Sequence, residues 1–185
     1  MAYRGFIAVG VGGLSKILDF GEALKKARGE MKLVEADNIH MTVKFLGKVD
    51  DRKNERILEC MKAAVEGMAP FEMSLKGVGA FPADSNPRVI WIAAEGAEPI
   101  GEMAKRLNSS MKRLGFPPEE REFAPHITVA RVRGDRNRER VMEVVNSYSG
   151  AEFGTVKVDC LHLKRSFLTN EGPVYTTVSV AKLAG

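Results

Sequence analysis

Two stretches of the chain carry the same set of chemistry-bearing side chains. His40-Met41-Thr42-Val43 lies in the first half and His126-Ile127-Thr128-Val129 in the second. Histidine has an unperturbed pKa near 6.5, so its acid and base forms are both available at neutral pH. A hydroxyl two residues away can donate to an oxygen where negative charge gathers. In-line cleavage of a phosphodiester needs a base for the attacking oxygen, an acid for the oxygen leaving opposite, and donors for the non-bridging oxygens. Two imidazoles on opposite sides of one phosphorus, each with its threonine, supply all of these without a metal.

The pattern works only if each motif is a strand. Both lie in short apolar runs, residues 38–46 and 123–132, whose Val, Ile, Thr and Phe suit a pleated, half-buried surface. Pro125, at the start of the second run, forfeits no ladder bond there. A strand repeats its faces every two residues, so His40 shares a face with Thr42, and His126 with Thr128. On a helix the same spacing would turn the two side chains roughly 200° apart. A lone strand histidine is usually structural, and a lone His-x-Thr is common by chance. Two copies in equivalent positions of a repeating chain are far less readily accidental.

The elements around the motifs repeat as well. A strand at about residues 4–11 and a helix at 15–28 lead through Lys32-Leu33-Val34-Glu35 into the His40 strand. A helix at 52–67 and an alternating strand at 71–78 follow. Phe81-Pro82-Ala83-Asp84-Ser85-Asn86-Pro87 reads as a loop. The second half offers a strand at 88–94, a helix at 99–114, the His126 strand, a helix at 137–148, and strands at 155–163 and 174–183, the last two joined by a turn at 170–173. The order strand, helix, His-strand, helix, strand thus occurs twice, with half-repeats at about 1–86 and 87–185. This predicts one α+β domain of two pseudo-symmetric lobes, each offering a His-x-Thr strand to a shared cleft.

Composition fits such a domain. The 185 residues are 44% hydrophobic and 28% charged, ordinary for a soluble globular protein with a real core. No apolar run approaches the roughly 18 residues of a membrane span, and the N-terminus lacks the apolar stretch of a signal peptide. A cytoplasmic protein, a monomer without membrane contact, is the expectation. The net charge of +4 favours an anionic partner. Cys60 and Cys160 match no zinc or redox spacing and read as small core residues. Gly10-Val11-Gly12-Gly13 lacks both the P-loop and the dinucleotide pattern, so it reads as a turn. A zinc site is the competing functional reading, but two histidines are too few ligands and neither motif strand carries a carboxylate beside its histidine. His162 could be a third ligand; having no threonine partner, it is assigned a structural or peripheral place.

With these residues set out, the chain resembles the two-histidine phosphoesterases, and among them most resembles the archaeal and bacterial RNA 2′,3′-cyclic phosphodiesterases, also called 2′-5′ RNA ligases. The resemblance runs through His-Met-Thr-Val-Lys-Phe-Leu-Gly from His40, Pro-Arg-Val-Ile-Trp from Pro87, Pro-His-Ile-Thr-Val-Ala-Arg from Pro125, and Arg165-Ser166-Phe167-Leu168 followed by Gly172-Pro173-Val174-Tyr175. It implies two antiparallel sheets around a cleft, no cofactor, and catalysis by His40, Thr42, His126 and Thr128, with His40 as proton donor and His126 as acceptor. It also implies that Arg131 meets the phosphate and that Phe45 occupies the matching place at the substrate after the first motif; because an aromatic ring can stack a base, the terminal base is expected toward Phe45. Strict alternation puts both on the face away from their histidines, and only a bulge would re-aim them. The implied partner is RNA with a 2′,3′-cyclic phosphate end, tRNA fragments among the candidates, opened to a 2′-phosphate or joined through a 2′-5′ linkage. A 2′,3′-cyclic phosphate requires a 2′-hydroxyl, which excludes DNA as its source. The residues leave other readings open: RNA binding without catalysis, a cyclic phosphodiesterase of small nucleotides, or a metal-dependent hydrolase.

Overall fold

The computed structural model describes residues 1–185 apart from Gly13, Asp84, Ser85 and Glu171, so the turns expected at 10–13, 81–87 and 170–173 are described only in part. In chain order the elements are β1 (Ala2–Gly10), α1 (Ser15–Lys26), β2 (Met31–Leu33), β3 (His40–Asp50), α2 (Asn54–Val65), β4 (Phe71–Phe81), β5 (Val89–Glu95), α3 (Glu98–Met111), β6 (His126–Val132), α4 (Arg138–Ser147), β7 (Glu152–Val158), β8 (Cys160–Leu168) and β9 (Pro173–Lys182). No helix among the described residues is long and apolar enough to cross a membrane.

Local chemistry sets the helices. Ile57, Met61, Ala64 and Val65 recur at three- and four-residue spacing along α2, and Ile100, Met103, Ala104, Leu107 and Met111 do so along α3, giving each one buried stripe. Pro99 sits in the first turn of α3, where a missing N–H costs nothing. A short 3₁₀ turn extends that helix to Gly115, whose φ of 84° closes it in the left-handed conformation glycine tolerates.

The strands form two sheets, β3-β1-β8-β9 and β2-β6-β5-β4-β7, and every pairing is antiparallel. The α+β architecture with two antiparallel sheets is the one the resemblance implied. Each sheet draws on both halves of the chain: β4 joins the sheet of His126, whereas β8 and β9 return to the sheet of His40. The helices cross over too. α1 follows β1 but packs on β6 and β7, and α3 follows β5 but packs on β3.

Three expectations about elements are corrected. Residues 155–163 are not one strand: β7 ends at Val158 in one sheet and β8 begins at Cys160 in the other. The chain turns at exposed Asp159, whose carbonyl accepts the Leu183 N–H, and alternation alone carried no sign of this change of sheet. Residues 32–35 do not run into the His40 strand. β2 pairs with β6 instead, and a 3₁₀ turn at Ala36–Asn38 carries the chain across. Phe81 belongs to β4 rather than to a loop, because it pairs with Val89.

Among the described residues Lys44 is the buried charged side chain, 1% exposed. Its ammonium donates to Asn108 Oδ1 at 2.7 Å and to the Pro117 carbonyl at 2.9 Å. Burial pulls its pKa down, and the nearby Glu119 carboxylate partly offsets this. Asn108 Oδ1 also accepts the Glu119 N–H at 3.4 Å, and the Glu119 carboxylate accepts the Phe45 N–H at 3.2 Å. These bonds tie β3 to the segment that delivers His126. Lys44→Met removes both bonds, leaving the Pro117 carbonyl without this donor and Asn108 Oδ1 with the longer bond from the Glu119 N–H, and should cost about 1–3 kcal/mol of stability; chemical unfolding checks this, and an unchanged midpoint would show that the bonds contribute nothing net.

Candidate active site

Two β-bulges shape the cleft. In β3, Thr42 pairs with Ala8 and Lys44 with Ile7, so Val43 has no partner. In β6, Thr128 pairs with Trp91 and Ala130 with Ile90, so Val129 has none. Both bulges fall three residues after a histidine. An extra residue shifts the alternation by one place. Val43 and Lys44 therefore both turn inward, as do Val129 and Ala130, and Phe45 and Arg131 come round to the faces of their histidines. The register agrees with this. Phe45 pairs with Phe6, which stacks on the His40 ring at 4.8 Å. Arg131 pairs with Val89, on the same face of β5 as Trp91 and Ala93, the partners of Thr128 and His126.

The two histidines are oriented by the same local device. His40 Nδ1 lies 2.6 Å from the Asn38 carbonyl, and His126 Nδ1 lies 2.8 Å from the Ala124 carbonyl. A carbonyl only accepts, so each Nδ1 carries the proton and each Nε2 is the nitrogen left to exchange one. His40 Nε2 is 3.0 Å from Thr42 Oγ1. The Asn38 side chain donates in turn to the Pro173 carbonyl at 2.8 Å, anchoring the residues before His40 to β9.

Around His40 the neighbours are aromatic and cationic. Tyr175 meets the ring edge-on at 5.4 Å. Lys164 pairs in register with Phe6 and donates to Thr177 Oγ1 at 2.8 Å. Burial pushes the His40 pKa below its ordinary value; the Asn38 carbonyl opposes this, and the charges of Lys164 and Arg131 add to it. Arg131 comes from the other sheet, so its charge acts across the cleft, where β3 and β6 lie side by side. Burial pushes the Tyr175 hydroxyl up, and the charges of Arg131 and Arg4 oppose this. Beside His126 stand Phe81, edge-on at 5.7 Å, and Trp91, 5.0 Å from Phe81.

His40, Thr42 and Phe45 thus share one face of their sheet, and His126, Thr128 and Arg131 share one face of theirs. His162 is on the His40 face but opposite Ala8, two strands from Thr42. Its Nε2 is 3.1 Å from Cys160 Sγ, a thiol that burial and Asp159 push up to about 11, and its Nδ1 has no partner among the described residues. No group of three His, Cys, Asp or Glu side chains able to hold a metal occurs among the described residues. Sequence reasoning missed Phe6, Lys164, Tyr175, Phe81 and Trp91 as neighbours of the histidines. Trp91 and Tyr175 fall within the signature stretches quoted above. For Phe6 and Lys164 only cross-strand register reveals the place.

A cleft of this kind, with a His-x-Thr strand on each side, defines a class. Residues 16–166 match the family model described as the 2′-5′ RNA ligase superfamily, and the chain belongs to that family. Among its relatives is a protein of Methanothermobacter thermautotrophicus named RNA 2′,3′-cyclic phosphodiesterase, 37% identical over 99% of this chain and 100% of that protein. One of Aeropyrum pernix with the same name is 37% identical over 83% of this chain and 87% of its own. A crystal structure from Thermus thermophilus superposes with a TM-score of 0.78 at 29% identity, covering 97% of each chain. E. coli LigT complexed with 3′-AMP gives a TM-score of 0.77 at 22% identity over 100% of both chains, a likeness of fold.

The electrostatics make a direct prediction. In the free protein His40 should titrate below the ordinary histidine value near 6.5, and Lys164→Met should raise its pKa by removing one of the two cations that depress it. Following the His40 ring protons by NMR across pH tests this. A His40 pKa at or above the ordinary value, or one unmoved by Lys164→Met, would contradict the described surroundings.

Proposed function

We propose that this protein hydrolyses RNA 2′,3′-cyclic phosphate ends to 2′-phosphates without a metal, with 2′-5′ ligation of RNA ends as the related reaction. The observation that carries the proposal is the matched pair of imidazoles: each is fixed through Nδ1 by the carbonyl two residues before it, on the neighbouring strands β3 and β6, which also present threonines and Arg131. The names of the 37%-identical relatives support the substrate class. His126 Nε2 takes a proton from water as its oxygen attacks phosphorus. The P–O3′ bond breaks on the opposite side, and His40 gives its Nε2 proton to O3′, leaving the phosphate on O2′. Thr42 and Thr128 donate to the non-bridging oxygens, and Arg131 forks onto the same charge.

The donor role requires His40 to be protonated, which its surroundings resist in the free protein. The negative phosphodiester supplies the counter-charge: bound between Arg131 and Lys164, it offsets both cations and raises the His40 pKa. Protonation of the acid is thereby coupled to substrate binding. Phe45, 59% exposed, offers a ring on which the terminal base stacks. We read the 185 residues as one bilobal domain, since each sheet takes strands from both halves. RNA ends of this kind, tRNA fragments among them, would be met by a monomer in the cytoplasm.

The test is an RNA oligonucleotide ending in a 2′,3′-cyclic phosphate, with the position of the product phosphate determined. His40→Ala and His126→Ala should each lose on the order of 10²–10⁴-fold in turnover while keeping the wild-type circular dichroism spectrum. Activity should survive exhaustive chelation, and the product should be the 2′-phosphate. Near-full activity in either variant, or loss on chelation restored by a divalent metal, would sink the mechanism. A 3′-phosphate product would reverse the placement of the donor.

A further inference from the structure

Resting on the cyclic-phosphate reading above, we propose that Phe81, backed by Trp91, is a second base platform beside His126. It holds the nucleoside of an incoming 5′-hydroxyl RNA end, so that the cleft seats two RNA ends rather than one end and a water. Phe81 and Gly79 lie on the cleft face, because they pair with Val89 and Trp91, whose partners in β6 are Arg131 and Thr128. Gly79 has a specific reason to be glycine: a Cβ there would overlap the benzo ring of Trp91. The indole therefore lies on bare backbone, and the Phe81 ring stands 5.0 Å from it at 30°. Phe81 keeps 44% of its surface in solvent. A ring packed only for stability would gain by burying that surface, whereas a ring that stacks a base must leave a face open.

Position makes the assignment specific. Phe81 meets His126 edge-on at 5.7 Å, beside the group that takes the proton from the attacking oxygen. Phe45 lies with His40, beside the group that protonates the leaving oxygen. Aromatic rings thus stand on both sides of the reacting phosphorus. Hydrolysis of a cyclic-phosphate end uses one base and needs one platform, because water carries none. Ligation uses two. In that reaction His126 takes the proton of the 5′-hydroxyl as the P–O5′ bond forms, the P–O3′ bond breaks, and His40 delivers its proton to O3′. The product joins O2′ to O5′. One diester replaces another, so no oxidant, reductant or activated co-substrate is consumed, and the reverse reaction cleaves the 2′-5′ linkage to a cyclic end.

The reverse direction gives the test. Adenosine 2′,3′-cyclic phosphate presents one base, and adenylyl-(2′→5′)-adenosine presents one on each side of phosphorus. Phe81→Ala should raise KM for the dinucleotide about tenfold more than for the cyclic mononucleotide, and Phe81→Tyr, which restores a ring, should recover most of the difference. Displacement of His126 by the substitution would instead harm both substrates alike. Equal effects on the two substrates, or a Phe81→Tyr variant as defective as Phe81→Ala, would overturn the inference. So would a wild-type protein that hydrolyses the cyclic nucleotide but leaves the dinucleotide intact, an outcome under which the hydrolase reading still stands. Inactivity toward the cyclic nucleotide would overturn that reading and this inference with it.

Discussion

Each histidine strand carries an extra residue three places after its histidine, at Val43 and at Val129, that its neighbour does not pair with. A sheet with strict alternation would bury Phe45 and Arg131 under the histidines and send Lys44 and Ala130 to the cleft. The bulge reverses both assignments in both strands. On the core side it admits two consecutive inward residues, which Ala130 fills with a methyl group and Lys44 with a long chain and a charge. The charge is accommodated because Asn108 and Pro117 provide acceptors. The residue that the bulge forces inward in β3 thereby becomes the tie to the segment leading into β6. One local irregularity, used twice, fixes which side chains share a face with the histidines and helps hold the two strands in relation to each other.

Electrostatics in the cleft follow from the exchange of strands between lobes. β8 comes from the C-terminal part of the chain but pairs with β1, placing Lys164 on the His40 face, and Arg131 reaches the same imidazole from the other sheet. Free, the cleft holds a half-buried ring against two cations, an arrangement that disfavours protonation. In the proposed function a bound phosphodiester anion would reverse the balance. The pair of histidines, equivalent in local backbone chemistry, is made unequal by the side chains that follow each bulge and by those the neighbouring strands supply: Phe6, Tyr175 and Lys164 around His40, Phe81 and Trp91 around His126.

Much of this is legible in the residues. The helices show in their buried stripes, and the two histidine strands show in their apolar runs and in the spacing that gives imidazole and hydroxyl one face. The direction of Arg131 and Phe45 is not legible from alternation, because a bulge leaves no trace in the period that is being read. Lys44 and Ala130 differ so much in character that neither announces an inward position. The break at Asp159 was hidden for a related reason: Val158 and Leu161 suit a strand equally well in either sheet, and only the long-range pairing separates them. Phe6 and Lys164 are ordinary strand residues until register sets them beside His40. Phe81 reads as part of a turn because Pro82 follows it, although its pairing with Val89 keeps it in β4.

In the proposed mechanism His40 and His126 each carry one proton transfer at a single phosphorus. The dependence of kcat/KM on pH tests it most directly, with a cyclic-phosphate substrate and His40→Gln and His126→Gln compared with wild type. The wild-type profile should be bell-shaped, with apparent pKa values that belong to the coupled pair. A base must be neutral to act, so the limb that rises with pH should vanish from the residual activity of His126→Gln. An acid must be protonated to act, so the limb that falls with pH should vanish in His40→Gln. Survival of both limbs in either variant would contradict the account.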